Sequence, residues 1–217
     1  MAPSIPPILH HTVGIVDYGT GNIASLDQAF TLLGASTCLV HSPNQLCSVD
    51  ALVLPGVGHF GPARKSLEAR GLHEALIQHI RSGLPTLGIC LGFQLLTQSS
   101  AEASGIEGLG LLPFRTERLQ PSNTRLHKVP HLGWNSLLPS SETPALLAGI
   151  DLDQCLFFFA NAYAIAPTPN STQPHALYQH ERPWLALVQH ANLHGVQFHP
   201  EKSRRQGLQV LRNFLVS

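Results

Sequence analysis

Pro85-Thr86-Leu87-Gly88-Ile89-Cys90-Leu91-Gly92 is a short apolar run ending in a cysteine, with glycine two places before the sulfur and two places after it. A strand that turns sharply into a helix crowds the backbone on both sides of the turn residue, and residues without a Cβ relieve that crowding. The stretch therefore reads as a strand over 86–89, a turn at Cys90 and a helix from Leu91 to Thr97. The unpaired N–H groups and positive dipole end of that helix face the sulfur, which favours thiolate. A nucleophile held this way lies at the carboxyl edge of a sheet, where open α/β folds bind ligands.

Upstream, the chain alternates strand and helix. Val13–Val16 is a short apolar run closed by Asp17, followed by a Gly-rich turn and a helical stretch from Ile23 to Leu33 that Gly34 closes. Strands follow at 37–40 and 51–54, the second stopped by Pro55-Gly56. Residues 67, 72, 76, 77 and 80 form a helical stripe broken only by Gly71. Downstream, 109–197 shows short strands punctuated by Pro, Asn and Gly. Residues 155–160 form one buried strand, 185–189 and 195–198 form a hairpin around Ala191-Asn192, and 207–215 form a last helix. The expected architecture is a single α/β domain over residues 12–217. It has a mostly parallel, doubly wound sheet with helices on both faces, and an antiparallel extension in the C-terminal half. Residues 1–11, with three prolines, read as an extended tail with no targeting peptide.

Composition narrows the function. Of 217 residues, 43% are hydrophobic and only 12% charged, against roughly 25% in ordinary soluble domains. Formal charge is zero, from 13 basic and 13 acidic residues, so there is no electrostatic footprint for nucleic acid or an anionic membrane. No apolar run reaches the ~18 residues of a membrane span. Four scattered cysteines without a CxxC pair read as reduced thiols, and the expected location is the cytoplasm.

A second segment completes a catalytic constellation. In Gly195-Val196-Gln197-Phe198-His199-Pro200-Glu201, alternation puts Val196 and Phe198 on one face and Gln197 and His199 on the other. Pro200 ends the strand and leaves the imidazole at its tip. Glu201 reaches the ring nitrogen that faces away from the sulfur, fixing the tautomer and stabilising imidazolium. A Cys90–His199–Glu201 triad follows. The N–H of Leu91 supplies one oxyanion donor, and the mobile Pro55-Gly56-Val57-Gly58 turn supplies the other through Val57.

Two tempting signals fail. Gly19-Thr20-Gly21-Asn22-Ile23-Ala24 fits a dinucleotide loop, but the second strand ends in Val40-His41-Ser42 rather than the acidic residue that would hold a ribose. Of the 13 histidines, His127 and His131 are four apart, yet Pro130 forbids the helix that would align them, and no spacing matches a zinc signature.

Gly88-Ile89-Cys90-Leu91-Gly92-x-Gln94-Leu95-Leu96, with the 195–201 segment, resembles the class I (triad) glutamine amidotransferases. Pro55-Gly56-Val57-Gly58 and Pro130-His131-x-Gly133-Trp134-Asn135 are similar to one branch, the glutaminase subunits of imidazole glycerol phosphate synthases in histidine biosynthesis. The resemblance runs from about Val13 to the end of the chain. It implies glutamine hydrolysis through a Cys90 thioester, with Gly58 and Gln94 holding the glutamine and no cofactor or metal. Ammonia would pass to a (β/α)8-barrel cyclase subunit in a heterodimer, whose ligand raises a low basal glutaminase rate. The resemblance places Asn22, Trp134 and Lys202 at or near that partner. The family usually has histidine and serine where this chain has Asn161 and Ala162. Two other readings stay open: a glutaminase serving a different synthase, and an interaction subunit that has lost turnover.

Overall fold

The computed structural model describes residues 11–168 and 173–217. The tail expected over 1–11 thus lies, except for residue 11, outside the described residues. In chain order the elements are β1 (Thr12–Val16), α1 (Ile23–Leu32), β2 (Ser36–Val40), β3 (Ala51–Leu54), α2 (Phe60–Ala69), α3 (Leu72–Arg81), β4 (Thr86–Ile89), α4 (Leu91–Leu95) and β5 (Thr97–Ser100). Then follow β6 (Leu112–Arg118), β7 (His131–Asn135), β8 (Leu138–Pro139), β9 (Phe157–Asn161), β10 (Tyr163–Ile165), β11 (His175–His180), β12 (Arg182–His190), β13 (Leu193–Val196) and α5 (Arg204–Val216).

The main sheet has the order β2-β1-β3-β4-β13-β12-β11-β8. Its first five strands are parallel, and β12, β11 and β8 continue it antiparallel. A three-stranded sheet β10-β6-β5 and a β7-β9 ribbon complete the fold. Burial on both faces accounts for the continuous apolar strands. Ala51 and Val53 join one core with Leu26 and Phe30 of α1 and Val210 and Phe214 of α5. Leu52 and Leu54 join the opposite core, with Leu67 of α2, Leu76 of α3 and Phe93 of α4. This is the expected doubly wound arrangement.

Several boundaries differ from expectation: β13 spans Leu193–Val196 rather than 195–198, which leaves His199 three residues past the strand's end, and β12 and α5 each begin three residues early, at Arg182 and Arg204. The stripe over 67–80 is two helices, because Gly71 takes a left-handed φ of 68° that ends the first turn path and starts another. The first of these already begins at Phe60. Pro62 sits in its first turn, where a proline lacks only an N–H that would have no helical partner anyway. The helix after Cys90 stops at Leu95 rather than Thr97, which opens β5. The segment that follows takes the carbonyls a longer helix would use: Leu109 N–H donates to Leu95 O at 2.8 Å and Leu112 N–H to Leu96 O at 2.9 Å. Likewise the strand expected over 155–160 pairs with β7 outside the main sheet, and Leu156 is left half exposed.

The hairpin around Ala191-Asn192 forms, but its second strand is not part of an outlying extension. β13 sits in the centre, parallel to β4, with Val196 opposite Ile89. That insertion brings residues 90 and 199 to one edge.

Candidate active site

Cys90 has φ 54° and ψ −108°, a conformation that L-residues seldom adopt and that marks a sharp strand-to-helix turn. A Cβ on Gly92 would run into the carbonyl oxygen of Leu54, and one on Gly88 would meet Leu96 and the backbone of Phe93. Both flanking glycines are thus fixed by close approach. Gly92→Ala is expected to lower stability by about 3 kcal/mol, since the obstacle is backbone that cannot step aside. Urea unfolding measures this, and a midpoint equal to that of the unsubstituted chain would contradict it.

Cys90 N–H donates to Val196 O at 2.7 Å, which ties the turn to the end of β13. Beyond Val196, Phe198 packs against Phe157 in the core, while Gln197 and His199 face the sulfur side. His199 is held by its own backbone. Its N–H donates to Phe158 O at 2.8 Å, and its carbonyl accepts from Ser203 Oγ at 2.6 Å. Glu201 Oε1 lies 2.8 Å from His199 Nδ1, and the two side chains are 1% and 2% exposed. Burial alone would depress the imidazolium. Attraction and hydrogen bonding to the Cys90 sulfur, with the Glu201 carboxylate behind, outweigh it and push His199 up to about 10. A proton on this ring sits between a sulfur and a carboxylate, the arrangement that acyl transfer through a thiol needs.

Cys90 and His199 open onto a cavity of about 300 Å³ that Val57, Gly58, Leu91 and Gln94 also line. That is the small end of ligand sites and suits a free amino acid. Every residue expected to touch substrate therefore lines this cavity, with Glu201 against His199. Sequence reasoning missed Glu102, a carboxylate on the same cavity. It accepts from Phe60 N–H at 2.8 Å, pairs with His59 at 2.9 Å and is 14% exposed. An isolated glutamate just after a short strand gave no signal, because only the fold decides what it faces. Asn161 and Ala162 line the cavity as well. Asn161 Nδ2 donates to Tyr163 O and to the Tyr178 hydroxyl, both at 3.0 Å.

The residues the resemblance placed near a partner border this site. The glycine loop after β1 holds Asn22, whose Nδ2 donates to Glu201 Oε1 at 3.3 Å. Lys202 lies on the cavity wall and 5.9 Å from the Phe158 ring. Trp134 packs edge-on against Phe158 and under Arg204, yet is 40% exposed, and nearby Leu132 is 72% exposed.

A cysteine at a strand-to-helix elbow, a histidine three residues past the end of the neighbouring parallel strand and a carboxylate two residues on have the arrangement of the triad amidotransferases. The family model "Glutamine amidotransferase class-I" matches residues 14–217, and the chain belongs to this family. Among curated relatives, the imidazole glycerol phosphate synthase subunit HisH of Methanothermobacter thermautotrophicus is 43% identical over 203 residues, covering 94% of this chain and 97% of that one. A HisH of Legionella pneumophila is 38% identical over 210 residues, covering 94% and 98%. In fold, the chain is similar to PurLQS from Thermotoga maritima, with a TM-score of 0.74, 17% identity and coverage of 96% and 99%. Among the described residues, no helix is long and apolar enough to cross a membrane.

Proposed function

We infer that this chain is the glutaminase subunit of an imidazole glycerol phosphate synthase. It hydrolyses L-glutamine to glutamate and ammonia and supplies the ammonia to a cyclase subunit in histidine biosynthesis. The observation that carries this reading is identity of 43% along nearly the whole of a HisH subunit, in a chain whose Cys90 and His199 line one cavity with Glu201 against the imidazole. The partner is a (β/α)8-barrel cyclase in a heterodimer, making imidazole glycerol phosphate and aminoimidazole carboxamide ribonucleotide. Asn22, Trp134 and Lys202 form part of the surface that it covers. Exposed Trp134 and Leu132 beside the cavity favour that placement, since an apolar patch next to a site suits a covering subunit.

In the reaction, Cys90 Sγ attacks the side-chain amide carbon of glutamine. The N–H groups of Val57 and Leu91 receive the oxyanion. His199 gives its proton to the departing nitrogen, which leaves as ammonia. Water, deprotonated by His199, then opens the thioester, so one glutamine and one water become one glutamate and one ammonia. Glu201 keeps the imidazole oriented throughout. Gly58 and Gln94 hold the glutamine, and Glu102 takes its α-ammonium.

The test is ammonia transfer: the chain, mixed with its cyclase, should make imidazole glycerol phosphate from glutamine, and failure with an active cyclase would overturn the reading. Within it, Glu102→Gln should raise KM for glutamine about tenfold or more with kcat little changed. It removes one charge-assisted contact to a part of the substrate that does not react. An equal loss in kcat would place Glu102 in the chemistry instead.

A further inference from the structure

Gln197 lies between the triad residues and the core, fully buried, without touching the cavity. Its Nε2 is 3.5 Å from Cys90 Sγ, and its Oε1 accepts from Gln94 Nε2 at 3.0 Å. Gln94 Nε2 also donates to Tyr163 O at 2.9 Å. These three contacts decide which end of each amide is which. A peptide carbonyl can only accept, so Gln94 must turn its NH2 toward Tyr163. That NH2 then spends its second hydrogen on Gln197, whose oxygen is thereby committed. Gln197 has only N–H left to offer the sulfur.

We propose that Gln197 is a positioning residue for the glutaminase reaction, an N–H donor aimed permanently at Cys90 Sγ by the chain of amides running from the Tyr163 carbonyl. The proposal rests on Cys90 being the nucleophile. Two consequences follow for the site. First, the sulfur has opposed neighbours: the Ala160 carbonyl at 3.9 Å accepts from a thiol, while Gln197 donates to a thiolate. A buried donor that cannot turn round favours the charged form. Second, both hydrogens of Gln94 are consumed, so among the described residues its Oε1 is left as an acceptor for the cavity that Gln94 lines. Asn161 donates to the same Tyr163 carbonyl at 3.0 Å, so the residue standing where the family usually has histidine steadies the origin of the chain.

The other ionisable groups around the sulfur are His199 and Glu201 from the end of β13, and the tyrosines Tyr18 and Tyr178, whose hydroxyls burial holds protonated. Glu102 and Lys202 stand on the cavity wall. A substitution at residue 197 leaves all six in place.

The experiment uses the full chain, unsubstituted and with Gln197→Met or Gln197→Glu. Each is treated with iodoacetamide across a range of pH, and the Cys90 peptide is quantified by mass spectrometry. Methionine keeps the volume and removes the donor. Glutamate keeps the acceptor for Gln94 but turns an oxygen toward the sulfur. Alkylation at neutral pH should be about tenfold slower in both variants, the loss expected for one hydrogen bond to a charged group, and slower still for glutamate. In complex with the cyclase, kcat for glutamine should fall about tenfold in both, with KM kept in Gln197→Glu and raised in Gln197→Met. Profiles that superpose on the unsubstituted one, with hydrolysis by the unsubstituted complex intact, overturn the role of Gln197. Absent hydrolysis in the unsubstituted complex sinks the function itself. Should neither variant fold, nuclear magnetic resonance of the isotope-labelled unsubstituted chain decides. The side-chain N–H signals of Gln197 should shift when Cys90 is alkylated, and unchanged signals overturn the proposal.

Discussion

Cys90→Ala should abolish imidazole glycerol phosphate synthesis from glutamine while leaving synthesis from added ammonia unchanged. Removing the nucleophile of a triad costs on the order of a million-fold in kcat, because the remaining members have no bond-forming partner. The cyclase reaction needs only ammonia, and nothing in the removed Sγ bears on it. The two rates are measured on one purified complex, so assembly is controlled within the experiment. Alanine is well tolerated structurally, since Cys90 is 6% exposed and loses only a sulfur atom facing a cavity. Its unusual φ of 54° is already imposed by the flanking strand and helix. If both rates fell together, the substitution would be acting on folding or docking, and Cys90 would lose its assigned role.

His199→Ala should lose about as much turnover as Cys90→Ala, and Glu201→Gln about a hundredfold less, near 10⁴. In the proposed reaction the imidazole moves the proton in both halves, whereas the carboxylate 2.8 Å away would hold the tautomer and stabilise the charge. Glutamine at 201 can still accept from Nδ1 but no longer offsets imidazolium. Equal losses for the two variants would mean that Glu201 takes part in proton transfer. A pH signature accompanies this. In the folded chain His199 is raised from 6.5 to about 10. A raised folded value means the native state binds the proton more tightly than the unfolded chain, so this contribution to stability is full below about 6.5. It fades as pH rises toward 10 and is gone above it. The gap in urea midpoint between the unsubstituted chain and His199→Gln should therefore narrow as pH climbs through that window. A gap that widened instead would mean the ring is neutral in the native state.

Much of this was legible locally. The strands at 13–16, 37–40, 51–54 and 86–89 announce themselves as apolar runs because both faces of each are covered, and their observed ends agree within a residue. The elbow was legible because the crowding around Cys90 leaves no alternative to glycine at 88 and 92. His199 and Glu201 were legible as a pair on either side of Pro200, but the strand expected to carry the imidazole ends at Val196, and His199 stands in the turn that follows. Phe60-Gly61-Pro62 was less so, since the same residues open a helix or make a turn depending on what packs below. The short helix after Cys90 was misjudged for a related reason: the carbonyls of residues 95–97 are claimed by residues 109–112, which no window around Thr97 contains.

Sequence alone settled the chemical types on offer: a sulfur in a strained turn, an imidazole beside a proline, a carboxylate two residues on, and a glycine loop. Which of them meet was settled only when β13 entered the main sheet beside β4, rather than pairing with β12 alone at its margin. That pairing also turned Gln197 into a donor for the sulfur, while Glu102 reached the cavity from the end of β5 in the smaller sheet, held by Phe60 N–H and His59; neither role has a local pattern. Periodicity reports the face a side chain takes relative to its own backbone. Its partner across a hundred residues is chosen by the total free energy of packing, to which no single segment holds the key.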